Sequence, residues 1–218
     1  MINKDELLKE FSQMSNCIFE KLKNINEKNI NNLDIDNAIL VIVDMNNGFA
    51  KYGSLYSPRI KKLINPIVKL ANKMSKKNVP IICFSDRHSE DSTEFLIYPK
   101  HCLINTDEGE IIDELIKIKG IEIIHKNSTN GFFAEKLQLE FEKKSFIIVG
   151  NCTDICVYQF AITLKTFFNQ INQYKKVIVP MNFVDTFDLE GHKANFMNYV
   201  FLNSMIENGI EVINLKID

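Results

Sequence analysis

Six short runs of apolar, largely β-branched residues recur along this chain, at 38–43, 79–84, 121–124, 146–149, 177–179 and 211–215, and between them the apolar residues change to helical spacing. Runs without polar alternation suit strands buried on both faces, and the segments between them are long enough for helical crossovers. Ile60, Leu63, Ile64, Ile67, Val68, Ala71 and Met74 mark one helix, and Val157, Phe160, Ala161, Leu164, Phe167 and Phe168 another. Further helices are expected over 111–118, 134–141 and 192–208. This alternation specifies an α/β fold of three layers, a six-stranded, mainly parallel sheet with helices on both faces in Rossmann-like order. At 218 residues and 45% hydrophobic content the chain has material for one sizeable core. Ahead of it, Leu7, Phe11, Met14, Ile18, Leu22 and Ile25 predict an amphipathic helix over about 4–24, packed on the domain or on a partner, a second copy included. An Asn-rich linker follows, so the expected division is a helical extension and linker over 1–37 and the α/β domain over 38–218.

In such sheets ligands bind beyond the carboxyl ends of the strands, where the strand order reverses. The residues at those ends are Asp44, then Asp86 and His88, then Lys126, then Cys156. Gly150 breaks the fourth strand, and Thr153 with Asp154 supplies the hydroxyl and carboxylate of a helix start. Cys156 then falls in the first turn, near unpaired N–H groups that favour an anion, so its thiol is expected to ionise readily and to be nucleophilic. Buried cysteines more often only fill space, and an Asp ending a strand often only caps a turn. Together the residues do more: Asp44 can take and return a proton, and Lys126 can hold carboxylate and thiolate side by side. The loop after the second strand adds Asp86 and His88, two apart and pointing the same way, with Glu94 and His101 returning farther on. Two imidazoles and two carboxylates suit a divalent ion, zinc first, with manganese or iron as alternatives.

A net charge of −2 and scattered lysines argue against nucleic acid as a partner. No apolar run approaches a membrane span, and the first residues lack the order of a signal peptide, so a cytoplasmic protein with no membrane partner is expected. Five cysteines, an odd number, read as free thiols of a reducing compartment.

Residues 38–44 with Phe49, the segment 126–132 (Lys-Asn-Ser-Thr-Asn-Gly-Phe) and the segment 150–157 (Gly-Asn-Cys-Thr-Asp-Ile-Cys-Val) resemble the three signatures of the isochorismatase-like cysteine hydrolases. The resemblance covers about residues 38 to 215, and the loop carrying Asp86, His88, Glu94 and His101 is similar to that of the nicotinamidase branch. It implies Asp44, Lys126 and Cys156 as a catalytic triad and Asp86, His88, Glu94 and His101 as metal ligands. It also implies an oxyanion hole from the N–H groups of Cys152 and Cys156, with a cis peptide at Asn151–Cys152. The activity implied is hydrolysis of a small carboxamide, nicotinamide, to nicotinate and ammonia, with Phe49, Tyr98 and Phe133 around the ring. Glu94 stands where many relatives have a third histidine, Lys100 replaces a common proline, and Cys152 replaces a small apolar residue. Hydrolysis of another amide or of isochorismate, and a non-catalytic binding module, remain the alternatives.

Overall fold

The strand Ala38–Val43 turns Leu40 and Ile42 to one face of a parallel sheet and Ile39, Val41 and Val43 to the other, and each face is buried in its own apolar cluster. A sheet buried on both faces must lie between two helical layers. The computed structural model, which describes residues 3–135, 137 and 142–217, has this arrangement. In chain order the first elements are α1 (Lys4–Lys23), β1 (Glu27–Asn29), β2 (Ala38–Val43), α2 (Asn47–Ala50), α3 (Pro58–Lys62), α4 (Ile64–Lys76) and β3 (Ile81–Asp86). They are followed by α5 (Asp113–Ile116), β4 (Ile121–Lys126), β5 (Ser145–Asn151), α6 (Tyr158–Gln170), β6 (Lys176–Pro180), β7 (Val184–Asp185), α7 (Ala194–Glu207) and β8 (Glu211–Lys216). Ile67, Leu70, Ala71 and Met74 of α4 cover one face. Phe160, Leu164 and Phe168 of α6 and Leu202 and Met205 of α7 cover the other.

The strands run in the order β1-β8-β6-β5-β2-β3-β4, with β7 beside β5, and their pairings are parallel. The chain therefore leaves β2 toward β3 and β4 and returns to the opposite side of β2 as β5. The switch point lies between the carboxyl ends of β2 and β5, and the residues following them, Asp44 and Cys152, flank it.

The sheet has eight strands against the six expected. The two additions are short and weakly patterned. β1 is a polar edge strand, Glu-Lys-Asn, held to β8 by backbone pairing, by the ion pair of Lys28 with Glu211, and by Lys216 on Glu27 at 2.6 Å. β7 is two residues long and pairs with Gly150 and Asn151. The helix expected after Pro58 is two helices, because Pro66 has no N–H to donate to the Lys62 carbonyl and the chain breaks just before it. The helix expected over 111–118 shrinks to α5: Ile111 bridges Asn46, and the Ile112 N–H donates to the Met45 carbonyl at 3.0 Å, so both are held extended. The helix expected over 134–141 falls largely outside the described residues. The first amphipathic helix does form, with Asn3 accepting from the Asp5 N–H as its cap. Ile18 and Leu22 bury one side of α1, and Phe19 stacks on Tyr199 of α7 at 5.9 Å. No helix among the described residues is long and apolar enough to cross a membrane.

One glycine is indispensable to the switch point. Gly150 has φ +115°, and a Cβ there would lie 2.1 Å from the carbonyl oxygen of Val43 on the neighbouring strand. Gly150→Ala is expected to cost about 3 kcal/mol or more, from the backbone strain and the clash together. Urea denaturation would read this as a lower midpoint at unchanged slope; an unchanged midpoint would mean that β2 and β5 can part without cost.

Candidate active site

Lys126 is the last residue of β4, and its side chain is 1% exposed beneath the carboxyl edge of the sheet. An ammonium at that depth needs anionic partners. Its Nζ lies 2.9 Å from Asp44 Oδ2, donates to Asp86 Oδ1 and to the Ser128 carbonyl at 2.9 Å, and is 3.9 Å from Cys156 Sγ. Three strand ends and the turn after β5 thus meet at one cation. Burial disfavours the charge on Lys126, yet Asp44, Asp86 and Cys156 hold its pKa well above the ordinary lysine value.

The two carboxylates respond oppositely. Burial, then the charge of Asp86, pushes Asp44 up to about 7 against the opposing pull of Lys126, and the Cys156 thiol is a hydrogen-bonding neighbour. Burial also pushes Asp86 up, but Lys126, then His101 and His88, overcome it and hold Asp86 below the ordinary carboxylate range. The expectation that Cys156 ionises readily does not hold. Burial raises its pKa well above the ordinary thiol value, and Asp44 and Asp86 raise it further against Lys126. The thiol and the carboxyl group that could deprotonate it are therefore adjacent, both inclined to keep a proton.

Asp44 itself adopts φ +53°, and its carboxylate meets Lys126 at the end of β4. Asn151 Nδ2 donates to its carbonyl at 2.6 Å and Asn46 Nδ2 to the carbonyl of Asp86 at 3.1 Å, fastening adjacent strand ends together. The Asn151–Cys152 peptide is cis. After it, Thr153–Val157 form a wide turn of π-helical geometry rather than the first turn of α6. The N–H groups of Ile155 and Val157, on either side of Cys156, close the turn on the Cys152 carbonyl at 3.1 Å. All five cysteines are free thiols.

Beside Asp44, Lys126 and Cys156, the residues Asp86, His88 and His101 present ligand atoms within 4.8 Å of one another, all buried. His88 Nε2 lies 3.7 Å from Asp86 Oδ1 and 3.8 Å from Glu94 Oε2, and His101 Nε2 lies 3.9 Å from Asp86 Oδ2. Glu94 sits at the margin, its other oxygen accepting from the Thr129 N–H at 2.6 Å. The donor set fits a divalent ion. His88 Nε2 is buried with no hydrogen-bond partner, a costly state for a polar atom that a cation would relieve. Burial opposes a charge on His88, but Asp86, Asn127 and Glu94 more than offset it and raise its pKa, and the same field attracts a metal ion. The far nitrogens are already committed: Nδ1 of His88 donates to Asn127 Oδ1 at 2.8 Å and Nδ1 of His101 to the Pro99 carbonyl at 2.8 Å, which leaves both Nε2 lone pairs inward. Atoms of Asp44, Asp86 and Cys156 also lie within 4.8 Å of one another, but Lys126 already provides the cation there.

A cavity of about 460 Å³ opens onto these groups, lined by Asp44, Asp86, His101 and Cys156 at its floor. That is within the range of small-ligand sites. Phe49 and Tyr98 line it, their rings 5.7 and 6.3 Å from that of His101. Phe133 does not line it: it is 71% exposed, packs edge-on against Phe132, and borders a separate depression with Arg87 and His125. The short turn Gly131–Phe133 packs Phe132, partly buried, against the core and leaves the next ring outward. Ile155, Phe187 and Leu189 supply apolar wall that the sequence reading did not include. Asn46 was not nominated, and Asn127 and Asn151, though they lie in the segments 126–132 and 150–157, were given no hydrogen-bonding role.

A family model described as the isochorismatase domain matches residues 38–213. The chain is similar to Nicotinamidase 1 of Arabidopsis thaliana, with 31% identity over 203 residues that cover 81% of this chain and 82% of that protein. Among solved structures it is similar to the pyrazinamidase of Pyrococcus horikoshii in complex with zinc, with a TM-score of 0.66 and 23% identity over 81% of this chain and 98% of that one. It is also similar to the N-carbamoylsarcosine amidase of Thermoplasma acidophilum, with a TM-score of 0.66 and 24% identity over 81% and 95% of the two chains. At these identities the solved structures share a fold with this chain.

The orientation of His88 by Asn127 makes a measurable demand. In calorimetric titration with zinc, Asn127→Ala should bind about 10- to 100-fold more weakly than the unsubstituted protein, and His88→Ala should lose the site. Equal affinities in all three would place the ion elsewhere.

Proposed function

The chain belongs to the isochorismatase family, and from that premise we propose that it is a metal-dependent cysteine amidohydrolase converting nicotinamide to nicotinate and ammonia. The observation that carries the reading is the sharing of Asp86 between two groups in one cavity. One oxygen accepts from Lys126, beside Asp44 and Cys156, and the other faces His101 in the candidate metal cluster. A carboxamide on a pyridine ring has two features to be held, and the cavity offers a place for each.

Asp44, its pKa near 7, is suited to act as general base at neutral pH. It takes the thiol proton as Cys156 Sγ attacks the carboxamide carbon, so a free thiolate need not accumulate. The N–H groups of Cys152 and Cys156 receive the oxyanion. Asp44 passes the proton to the departing nitrogen, and ammonia leaves a thioester on Cys156. A water deprotonated by Asp44 then hydrolyses the thioester, releasing nicotinate and the thiol. Throughout, Lys126 keeps Asp44 and Asp86 in place and offsets the negative charge passing between Asp44 and sulfur. Asp86, His88, Glu94 and His101 would hold the ion, for which zinc suits the mixed nitrogen and oxygen donors. Bound there, it supplies a Lewis-acid position for the pyridine nitrogen and so orients the ring. Phe49 and Tyr98 flank the space the ring would fill.

Cys156→Ala should reduce ammonia release from nicotinamide at least about a thousandfold, while circular dichroism reports an intact fold. Chelation with verified metal loss should raise KM for nicotinamide steeply, and zinc should restore it. Turnover surviving the cysteine substitution would rule out sulfur as the nucleophile, and activity indifferent to chelation would favour a metal-independent relative acting on another amide.

A further inference from the structure

Residues 186–192, between β7 and α7, form a strap along one side of the cavity, to which they contribute Phe187, Asp188 and Leu189. The far end of the strap is closed on itself: Leu189 and His192 exchange backbone hydrogen bonds of 2.9 and 3.1 Å around Gly191, whose φ is +81°. Asp188 Oδ1 accepts from the Ala194 N–H at 2.9 Å, joining the strap to the start of α7. On the inner side stands His192. Its ring stacks on that of Phe187 with centroids 4.1 Å apart and planes 12° off parallel. Nδ1 lies 2.9 Å from the Phe187 carbonyl oxygen and Nε2 lies 2.7 Å from Asp154 Oδ2. The Asp154 side chain is 3% exposed and belongs to the turn that carries Cys156.

We propose that His192 is a positioning residue that ties the cavity wall at Phe187 to the nucleophile's turn through Asp154. The two partners are a carbonyl and a carboxylate oxygen, so a ring N–H has an acceptor on either side, and a bond to the carboxylate is charge-assisted. The nucleophile's turn has its own backbone hydrogen bonds onto Cys152, whereas Phe187 meets His192 through both its ring and its carbonyl. Release of the tie should therefore disturb binding of the ring more than the chemical step.

The turnover readout rests on the amidohydrolase reading; the spectroscopic one does not. His192→Ala should raise KM for nicotinamide tenfold or more with a smaller fall in kcat, and added imidazole should recover part of the loss. In 1H–15N spectra the unsubstituted protein should show a slowly exchanging ring N–H on His192, and Asp154→Ala, which removes the acceptor beside Nε2, should shift the ring nitrogen signals and speed that exchange. Unchanged KM in a folded His192→Ala protein, or a loss that follows the folded fraction and ignores imidazole, would overturn the tie. Ring protons that exchange freely in the unsubstituted protein would do the same. If the unsubstituted protein released no ammonia from nicotinamide, the substrate reading would fail while the spectra still decided the tie.

Discussion

A single buried ammonium organises the carboxyl edge of the sheet. Lys126 can remain charged in a desolvated position only because Asp44 and Asp86 reach it from two neighbouring strand ends, and those carboxylates can be buried only because Lys126 is there. Removing one member of such a set leaves uncompensated charge, which typically costs about 3–5 kcal/mol. The dependence is geometric as well as electrostatic. The parallel register places Asp86 opposite Lys126 and Val43 opposite both Phe84 and Gly150, so the three strand ends finish level beneath the cavity.

Two carboxylates against one ammonium leave negative charge in excess, and the two sides of the site use that excess differently. Toward Cys156 it favours protons, raising Asp44 to about 7 and keeping the thiol neutral. A carboxyl group held near 7 can take a proton as the sulfur attacks and give it up again afterwards, which suits a base that must later become an acid. Toward the loop after β3 the same excess, joined by Glu94, favours a cation between two imidazoles whose outer nitrogens are already engaged. Asp86 faces both ways and keeps the two halves in fixed relation.

What could be read from the sequence depended on whether the signal was local. The apolar runs at 38–43 and 146–149 lie wholly inside observed strands because strands buried on both faces carry an unbroken pattern. The edge strand Glu27–Asn29 has no such pattern, since its backbone pairs with β8 while its side chains stay partly exposed, and it read as a linker. Lys126, Asp44 and Cys156 could be nominated from the strand ends, but their meeting at one point needed the strand order. The ionisation of Cys156 was misjudged because helix-terminus reasoning weighs the N–H groups and omits the burial and the two carboxylates that oppose them. Phe133 was nominated as the residue after the segment 126–132, and nothing in the one-dimensional pattern tells which of two adjacent phenylalanines turns inward.

The loops over the sheet are where chains of this fold can differ, and here each loop is fastened to another rather than left to its own turns. Glu94, in the loop after β3, accepts from Thr129 in the loop after β4, and Thr129 Oγ1 donates in turn to Gln159 on α6. Arg59 of α3, which lines the cavity, pairs with Asp185 at 2.9 Å, at the root of the strap that carries His192. Such cross-links restrict how far a wall can move when a ligand enters, so the cavity's shape is largely set before binding and little ordering cost falls on the ligand. A flat ring with one carboxamide, which offers few groups with which to remodel a site, is the kind of substrate that gains most from walls fixed in advance.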